Sequence, residues 1–220
     1  MQDLFTYCGE LFQELWQEFS AILSTSMARV EDPPVVISDE AYRAIVFDGV
    51  EAPEASAIVT RAVTATSWSK AWAIAGERIG YLAISQRLEG ADALRNACTF
   101  TNRILGFINA PAIWQRVVMQ AADAGPEMAE YQRRRDRMCD VLERIGYRLE
   151  RPQGTFYVFP EAPVADDVAF IRALLREGIL AVPGSGFGRS GYFRLALTAG
   201  CDVIERAAPG FARAFRRSTC

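Results

Sequence analysis

The sequence predicts an α/β fold, a mainly parallel sheet with helices on both faces, continued by a carboxyl-terminal α+β unit. Three observations carry this reading. Short apolar runs, Val35-Val36-Ile37, Ile58 through Ala65 and Arg78 through Ile84, are interspersed with segments of helical spacing, the pattern of strands buried on both faces. Polar residues with reactive side chains follow the ends of the first two runs, where open α/β sheets place their ligands. The composition breaks at Gly125-Pro126, beyond which strands and helices follow a different order.

Leu11, Phe12, Leu15, Phe19, Ile22 and Leu23 recur at three- and four-residue spacing, which predicts an amphipathic helix over 10–29, stopped by Pro33-Pro34. The strand Val35-Val36-Ile37 ends in Ser38-Asp39, and the strand from Ile58 to Ala65 delivers Ser67 to Lys70 at its carboxyl end. A third strand runs from Arg78 to Ile84. Helices are expected over 86–103 and from Pro111 to about Ala124. Residues 1–124 and 125–220 are therefore read as two domains. In the second, Met128, Tyr131, Met138, Val141, Leu142 and Ile145 line one face of a long helix. Phe156 to Phe159 and Tyr192 to Leu197 read as strands around a helix over 166–177 that Gly178 stops. Val203, Ile204, Phe211 and Phe215 mark a closing helix.

The composition excludes several classes of function. The 220 residues carry a net charge of −3, with arginines interspersed among acids, so no face suited to nucleic acid is expected. The densest basic run, Arg133 to Arg137, is read as the solvated side of its helix. Five cysteines, far apart and without a CxxC pair, argue against a disulfide framework or zinc site and for a reducing, cytoplasmic setting. No apolar run approaches the ~20 residues that span a bilayer. Histidine is absent, which removes the commonest metal ligand and the commonest general base together. No metal site is expected.

Lysine occurs once. Of 24 basic residues, 24 − 1 = 23 are arginines, and the single exception is Lys70, in Thr66-Ser67-Trp68-Ser69-Lys70. Arginine stays protonated, whereas a desolvated lysine can lose its proton and serve as nucleophile, base or Schiff-base partner. Lys70 is the first candidate for chemistry.

Four segments occur in series: Ser38-Asp39-Glu40-Ala41-Tyr42, Ser67-Trp68-Ser69-Lys70, Gly76-Glu77-Arg78-Ile79-Gly80-Tyr81 and Tyr192-Phe193-Arg194-Leu195. With their Asp-x-x-Tyr, Ser-x-x-Lys and Lys-x7-Arg spacings they resemble the class I/II aminotransferases of the aspartate aminotransferase superfamily, which have fold type I and use pyridoxal 5′-phosphate. The resemblance runs from about residue 10 to the carboxyl end. It implies a partial fold-type I transferase, with a partial cofactor-binding large domain before the small domain. It further implies that Lys70 holds the cofactor as a Schiff base and moves the substrate proton, and that Asp39 keeps the pyridine nitrogen protonated. By the same resemblance Tyr42 donates to the cofactor's 3′-oxygen, Ser67 and Arg78 bind its phosphate, and Arg194 clamps the substrate carboxylate. Gly154 to Tyr157 and Pro183 to Gly188 resemble segments of the small domain.

The implied activity is transfer of an amino group between an L-amino acid and a 2-oxo acid, in a homodimer without nucleic-acid or membrane partners. A lyase or decarboxylase of the same fold would use the same lysine and aspartate. A non-catalytic fragment or the effector domain of a transcription regulator is the other alternative, although a regulator needs a basic helix-turn-helix and residues 1–30 are acidic. The family's upstream phosphate donors and Asn-Pro motif have no counterpart in these 220 residues, so the chain is expected to represent the carboxyl-terminal part of the family's fold, with exposed apolar surface on its sheet.

Overall fold

The computed structural model describes residues 21, 22, 25, 26, 29, 31–121 and 124–219. The helix expected over 10–29 lies almost wholly outside these. The chain divides into two compact units, residues 1–126 and 127–220.

In the first unit β1 (Val36–Asp39) pairs in parallel with β2 (Ala62–Ser67), Asp39 lying opposite Ala65. The connection between them carries a single helical turn, α1 (Ala55–Ile58). The sequence places Ile58 and Val59 in a strand, and the structure corrects this. The Ala55 amide donates to Glu40 Oε1 at 2.9 Å and the Val59 amide to the Ala55 carbonyl at 2.8 Å. These bonds close a turn against the β propensity of the side chains. Strand β2 then begins at Ala62 and runs two residues beyond the expected end.

After β2 the chain makes one turn of helix, α2 (Trp68–Ala71), and a 3₁₀ turn (Ala75–Glu77) before β3 (Gly80–Ile84). Strand β3 runs antiparallel to β2, with Ser67 opposite Gly80 and Val63 opposite Ile84. The described sheet, of order β1-β2-β3, is thus mixed rather than mainly parallel. Only the longer β1-to-β2 connection makes a crossover; the short link after β2 turns the chain straight back. Ile45, Phe47, Val59, Ala62, Val63, Ile79, Leu88 and Val118 are buried. Helix α3 (Ala91–Ile104) buries none of its residues, and α4 (Ala112–Gln120) buries only Val118.

The second unit opens with α5 (Met128–Ile145), which buries Arg135, Met138, Cys139, Val141 and Leu142. Arg135 departs from the expected solvated face. It lies three and four residues before Met138 and Cys139, on the same stripe of the helix. Its guanidinium is satisfied by Asp136 at 2.8 Å and by the Pro152 carbonyl at 3.2 Å. The sheet is antiparallel, of order β4-β6-β5, from β4 (Tyr157–Val158), β5 (Val182–Pro183) and β6 (Phe193–Ala196). Helices α6 (Asp167–Arg176) and α7 (Cys201–Thr219) complete the unit.

Its core gathers around Tyr147, whose ring meets Phe170, Phe193, Phe211 and Phe215 at centroid distances of 4.8–6.3 Å. The Tyr147 hydroxyl donates to the Phe211 carbonyl at 3.0 Å. That bond supplies the partner a buried phenol requires, and burial pushes the Tyr147 pKa upward. Burial likewise pushes the Cys139 thiol up to about 12.

Candidate functional site

The carboxyl ends of β1 and β2 carry four of the six candidate residues. Parallel pairing places these ends side by side, since Asp39, the last residue of β1, is in register with Ala65, two residues before Ser67. Asp39 is exposed, and its Oδ1 accepts the Ala41 amide at 3.3 Å. This bond turns the chain off the strand within two residues. Tyr42 follows, half-buried, and its ring lies under the Lys70 amine, with Nζ 5.9 Å from the centroid. The structure therefore brings Tyr42 and Lys70 together, although 28 positions separate them in sequence.

Ser67 ends β2 in extended backbone, φ −154° and ψ 159°, and the next four residues form α2. The strand-to-helix switch presents Lys70 one turn beyond the sheet. Trp68 packs its ring against Trp72 and Tyr81, at 6.0 and 5.3 Å, and the Trp72 indole N–H donates to the Ala124 carbonyl at 2.7 Å. These aromatic contacts fix the turn that bears the lysine. Opposite Ser67, a Cβ added to Gly80 would lie 2.6 Å from the Thr66 carbonyl oxygen and 2.9 Å from Ser67 Cβ. Glycine at this position lets β3 close on the serine.

Arg78 stands between the 3₁₀ turn and β3 in the left-handed region, φ 52°. Its Nη1 donates to the Ala75 carbonyl at 2.9 Å, but among the described residues it makes no ion pair. The guanidinium is exposed and retains donors for an anion.

Arg194 belongs to the second unit, at the second position of β6. Its guanidinium carbon lies 4.2 Å from the centroid of Tyr157 and 4.1 Å from that of Phe187. Two aromatic rings pack against the guanidinium, and among the described residues it makes no ion pair. Guanidinium stacked on rings keeps its in-plane N–H groups for a bidentate acceptor.

Phe187 is held in place by a residue that the sequence does not single out. Asp167, buried at the start of α6, accepts the Ser185 amide at 2.6 Å and pins the Gly184–Phe187 turn. That amide holds the Asp167 carboxyl below its ordinary range. Tyr157 and Phe187 lie in segments that the sequence reading likens to the small domain, but their place beside Arg194 escapes it, because the packing joins residues from three separate segments. Asn102 closes its own turn by donating to the Ile108 carbonyl at 2.8 Å. A cavity of about 700 Å³ in the second unit is lined by Ala129, Arg133, Asp136 and Cys201 among others, and none of the candidate residues lines it. Among the described residues no cluster of acids and cysteines suits a metal ion, and no helix is long and apolar enough to cross a membrane.

A lysine amine, a carboxylate, a phenol, a hydroxyl and a guanidinium are the groups that would meet the aldehyde, ring nitrogen, phenolic oxygen and phosphate of a pyridoxal phosphate. The donor set of the first unit fits that cofactor. Residues 27–207 match the family model described as aminotransferase class I and II. The chain belongs to this family, whose members depend on pyridoxal phosphate. An aspartate/prephenate aminotransferase of Thermus thermophilus is 30% identical over 195 residues, covering 86% of this chain and 50% of that protein. An LL-diaminopimelate aminotransferase of Moorella thermoacetica is 32% identical over 188 residues, 79% of this chain and 46% of the relative. The crystal structure of an aminotransferase from Eubacterium rectale superposes with a TM-score of 0.85 at 29% identity, covering 92% of this chain and 51% of its own. The chain spans about half the length of the curated relatives it matches.

Proposed function

We propose that this chain carries the lysine-bearing part of a pyridoxal-phosphate-dependent aminotransferase, which moves an amino group between an L-amino acid and a 2-oxo acid. The observation that supports this most directly is the placement of Lys70, the one lysine in 220 residues, over Tyr42 at the paired ends of β1 and β2.

Bound pyridoxal phosphate supplies an electron sink for the bonds of the substrate's α-carbon. The protein's residues do the rest. Lys70 Nζ would hold the cofactor at its aldehyde carbon and would carry the proton that leaves the substrate's α-carbon. The Asp39 carboxylate keeps a proton on the ring nitrogen, since an anion beside a base favours its charged form. Tyr42 Oη donates to the 3′-oxygen. Ser67 Oγ and the Arg78 guanidinium bind the phosphate, for which a planar multi-donor group is suited. Arg194, its face packed against Tyr157 and Phe187, binds the substrate carboxylate in the guanidinium plane. Residues 1–124 then serve as the cofactor domain and 125–220 as the small domain.

A homodimer and a cytoplasmic location belong to the same reading. Exposed Phe100, Ile104, Leu105 and Phe107 along α3 and its end support the first, and the free thiols Cys98, Cys139 and Cys201 support the second. The named relatives are aminotransferases, which favours transamination over a lyase or decarboxylase outcome.

The test is a single turnover. The chain loaded with pyridoxal phosphate and given an L-amino acid should release one 2-oxo acid per chain while retaining the amino group, and Lys70→Arg should abolish it. Carbon dioxide or free ammonia in place of the 2-oxo acid would assign the chain to the lyases or decarboxylases.

A further inference from the structure

We propose that Glu40 is a positioning residue of this site, holding the turn that carries Asp39 and Tyr42 against the end of β2; the inference rests on the functional reading above. Glu40 lies between the two residues and its side chain is only 8% exposed. A carboxylate so far out of water is costly unless its oxygens are matched. Here Oε1 accepts the Ala55 amide at 2.9 Å, while among the described residues Oε2 accepts no hydrogen bond and is balanced by charge alone, 2.9 Å from Arg43 Nε.

The backbone of the same residue is tied to the neighbouring strand. The Glu40 amide donates to the Ala65 carbonyl at 2.8 Å, and its carbonyl accepts Thr66 Oγ1 at 3.2 Å and the Arg43 amide at 3.1 Å. Thr66 immediately precedes Ser67, and Lys70 follows three residues on. One residue thus links three pieces: the Asp39–Tyr42 turn, the strand end that leads to Ser67 and Lys70, and the start of α1. Without the Glu40 side-chain anchors the turn loses its tie to α1 and keeps its backbone bonds, the Asp39 Oδ1 bond to the Ala41 amide and the Thr66 tether, so the Tyr42 ring is held less firmly under Lys70 Nζ at 5.9 Å.

The described bonds of the Glu40 side chain go to Ala55 and Arg43 and not to a group assigned to cofactor, so its effect passes through the turn that carries Asp39 and Tyr42, and Tyr42 provides the readout. The phenol's donation to the 3′-oxygen sets the pH midpoint at which the loaded chain's absorbance changes, because a hydrogen bond to one protonation state favours that state. The experiment measures this midpoint in Tyr42→Phe, Glu40→Ala, Glu40→Gln and Thr66→Val. Glu40→Ala should move it in the same direction as Tyr42→Phe, by about half a unit or more, a roughly threefold change in the equilibrium. Glu40→Gln, which keeps an oxygen for the Ala55 amide, should restore most of the parent value.

A second readout needs no cofactor. The rate at which acetic anhydride labels Lys70 in the unloaded chain should change in Glu40→Ala to the rate found in Tyr42→Ala. Thr66→Val removes one tether without burying a new polar group and should shift both readouts part of the way, which serves if Glu40→Ala does not fold. A folded Glu40→Ala or Thr66→Val protein with parent midpoint and parent labelling rate overturns the proposal. A chain that takes up no pyridoxal phosphate contradicts the proposed function instead, and the labelling rates then decide the role of Glu40 alone.

Discussion

Replacing Gly184 by alanine should loosen the second unit far more than the same change two residues away. A Cβ built on Gly184 would lie 2.3 Å from the Arg189 carbonyl oxygen, 2.8 Å from that of Tyr192 and 2.9 Å from Tyr192 Cβ. Two of these atoms are backbone, and both stretches are tied to the glycine: its amide donates to the Tyr192 carbonyl at 2.8 Å and its carbonyl accepts the Arg189 amide at 3.0 Å. Neither can move without straining that ladder, so the change should cost about 1–3 kcal/mol, the range for overpacking. Gly186 has open space around its Cβ position and no left-handed backbone. Alanine there should be neutral or stabilise by about 0.4–1 kcal/mol through the unfolded chain.

Cys139 provides the assay. It is fully buried on α5 in the same unit and reacts only when that unit opens. Thiol labelling read by peptide mapping at Cys139 reports the open population, and each 1.4 kcal/mol changes it tenfold. Gly184→Ala should therefore label about 5- to 150-fold faster than the parent, and Gly186→Ala no faster than the parent. Equal rates in the two variants, or the reverse order, would refute the packing argument.

Four further outcomes follow from other groups. The Cys139 thiol is raised by burial to about 12, so its contribution to stability is complete below its unfolded pKa of about 8.5 and is lost as pH rises toward 12, by about 1.4 kcal/mol per unit. Urea midpoints should fall between pH 8 and pH 10, and Cys139→Val should flatten the fall. The Asp167 carboxyl, lowered by the Ser185 amide, works in the opposite sense: its contribution is present above the ordinary carboxylate range and disappears as pH falls through its folded pKa, and Asp167→Asn should remove that acid dependence from the urea midpoint. Tyr147→Phe leaves the Phe211 carbonyl without the hydroxyl it meets at 3.0 Å and should cost about 1–2 kcal/mol in urea unfolding. Arg194→Lys, which loses both the stacking and the planar donor pair, should weaken binding of an L-amino acid by tens-fold, about 2 kcal/mol, while pyridoxal phosphate uptake is unchanged.

What the sequence made legible was set by local spacing. Helix α5 could be read from Met138, Val141, Leu142 and Ile145 because one stripe of one helix is a local property. Lys70 was visible as the one lysine of the sequence, and Asp39 through its Asp-x-x-Tyr spacing at the end of an apolar run. The turn at Ala55–Ile58 was not, because the Glu40 carboxylate that anchors it comes from fifteen residues away. Arg135 was misread for a related reason: charge suggests solvent, whereas the nonlocal Pro152 carbonyl and the adjacent Asp136 help make its burial tolerable. The two-residue strand β5 has too few side chains to show a period. The surroundings of Arg194 assemble from Tyr157, Phe187 and β6, so the sequence offered the arginine but not the rings against which it packs.

Whether Lys70 is the residue that takes up the cofactor can be measured directly. The chain is incubated with pyridoxal phosphate, reduced with borohydride and digested, and the pyridoxyl group is located by mass spectrometry. The chain offers only two primary amines, the Lys70 side chain and the amino terminus. The pyridoxyl group should lie on the peptide that contains Ser67 to Lys70 and be lost in Lys70→Arg. Label confined to the amino terminus, with Lys70 unmodified, would contradict that role for Lys70.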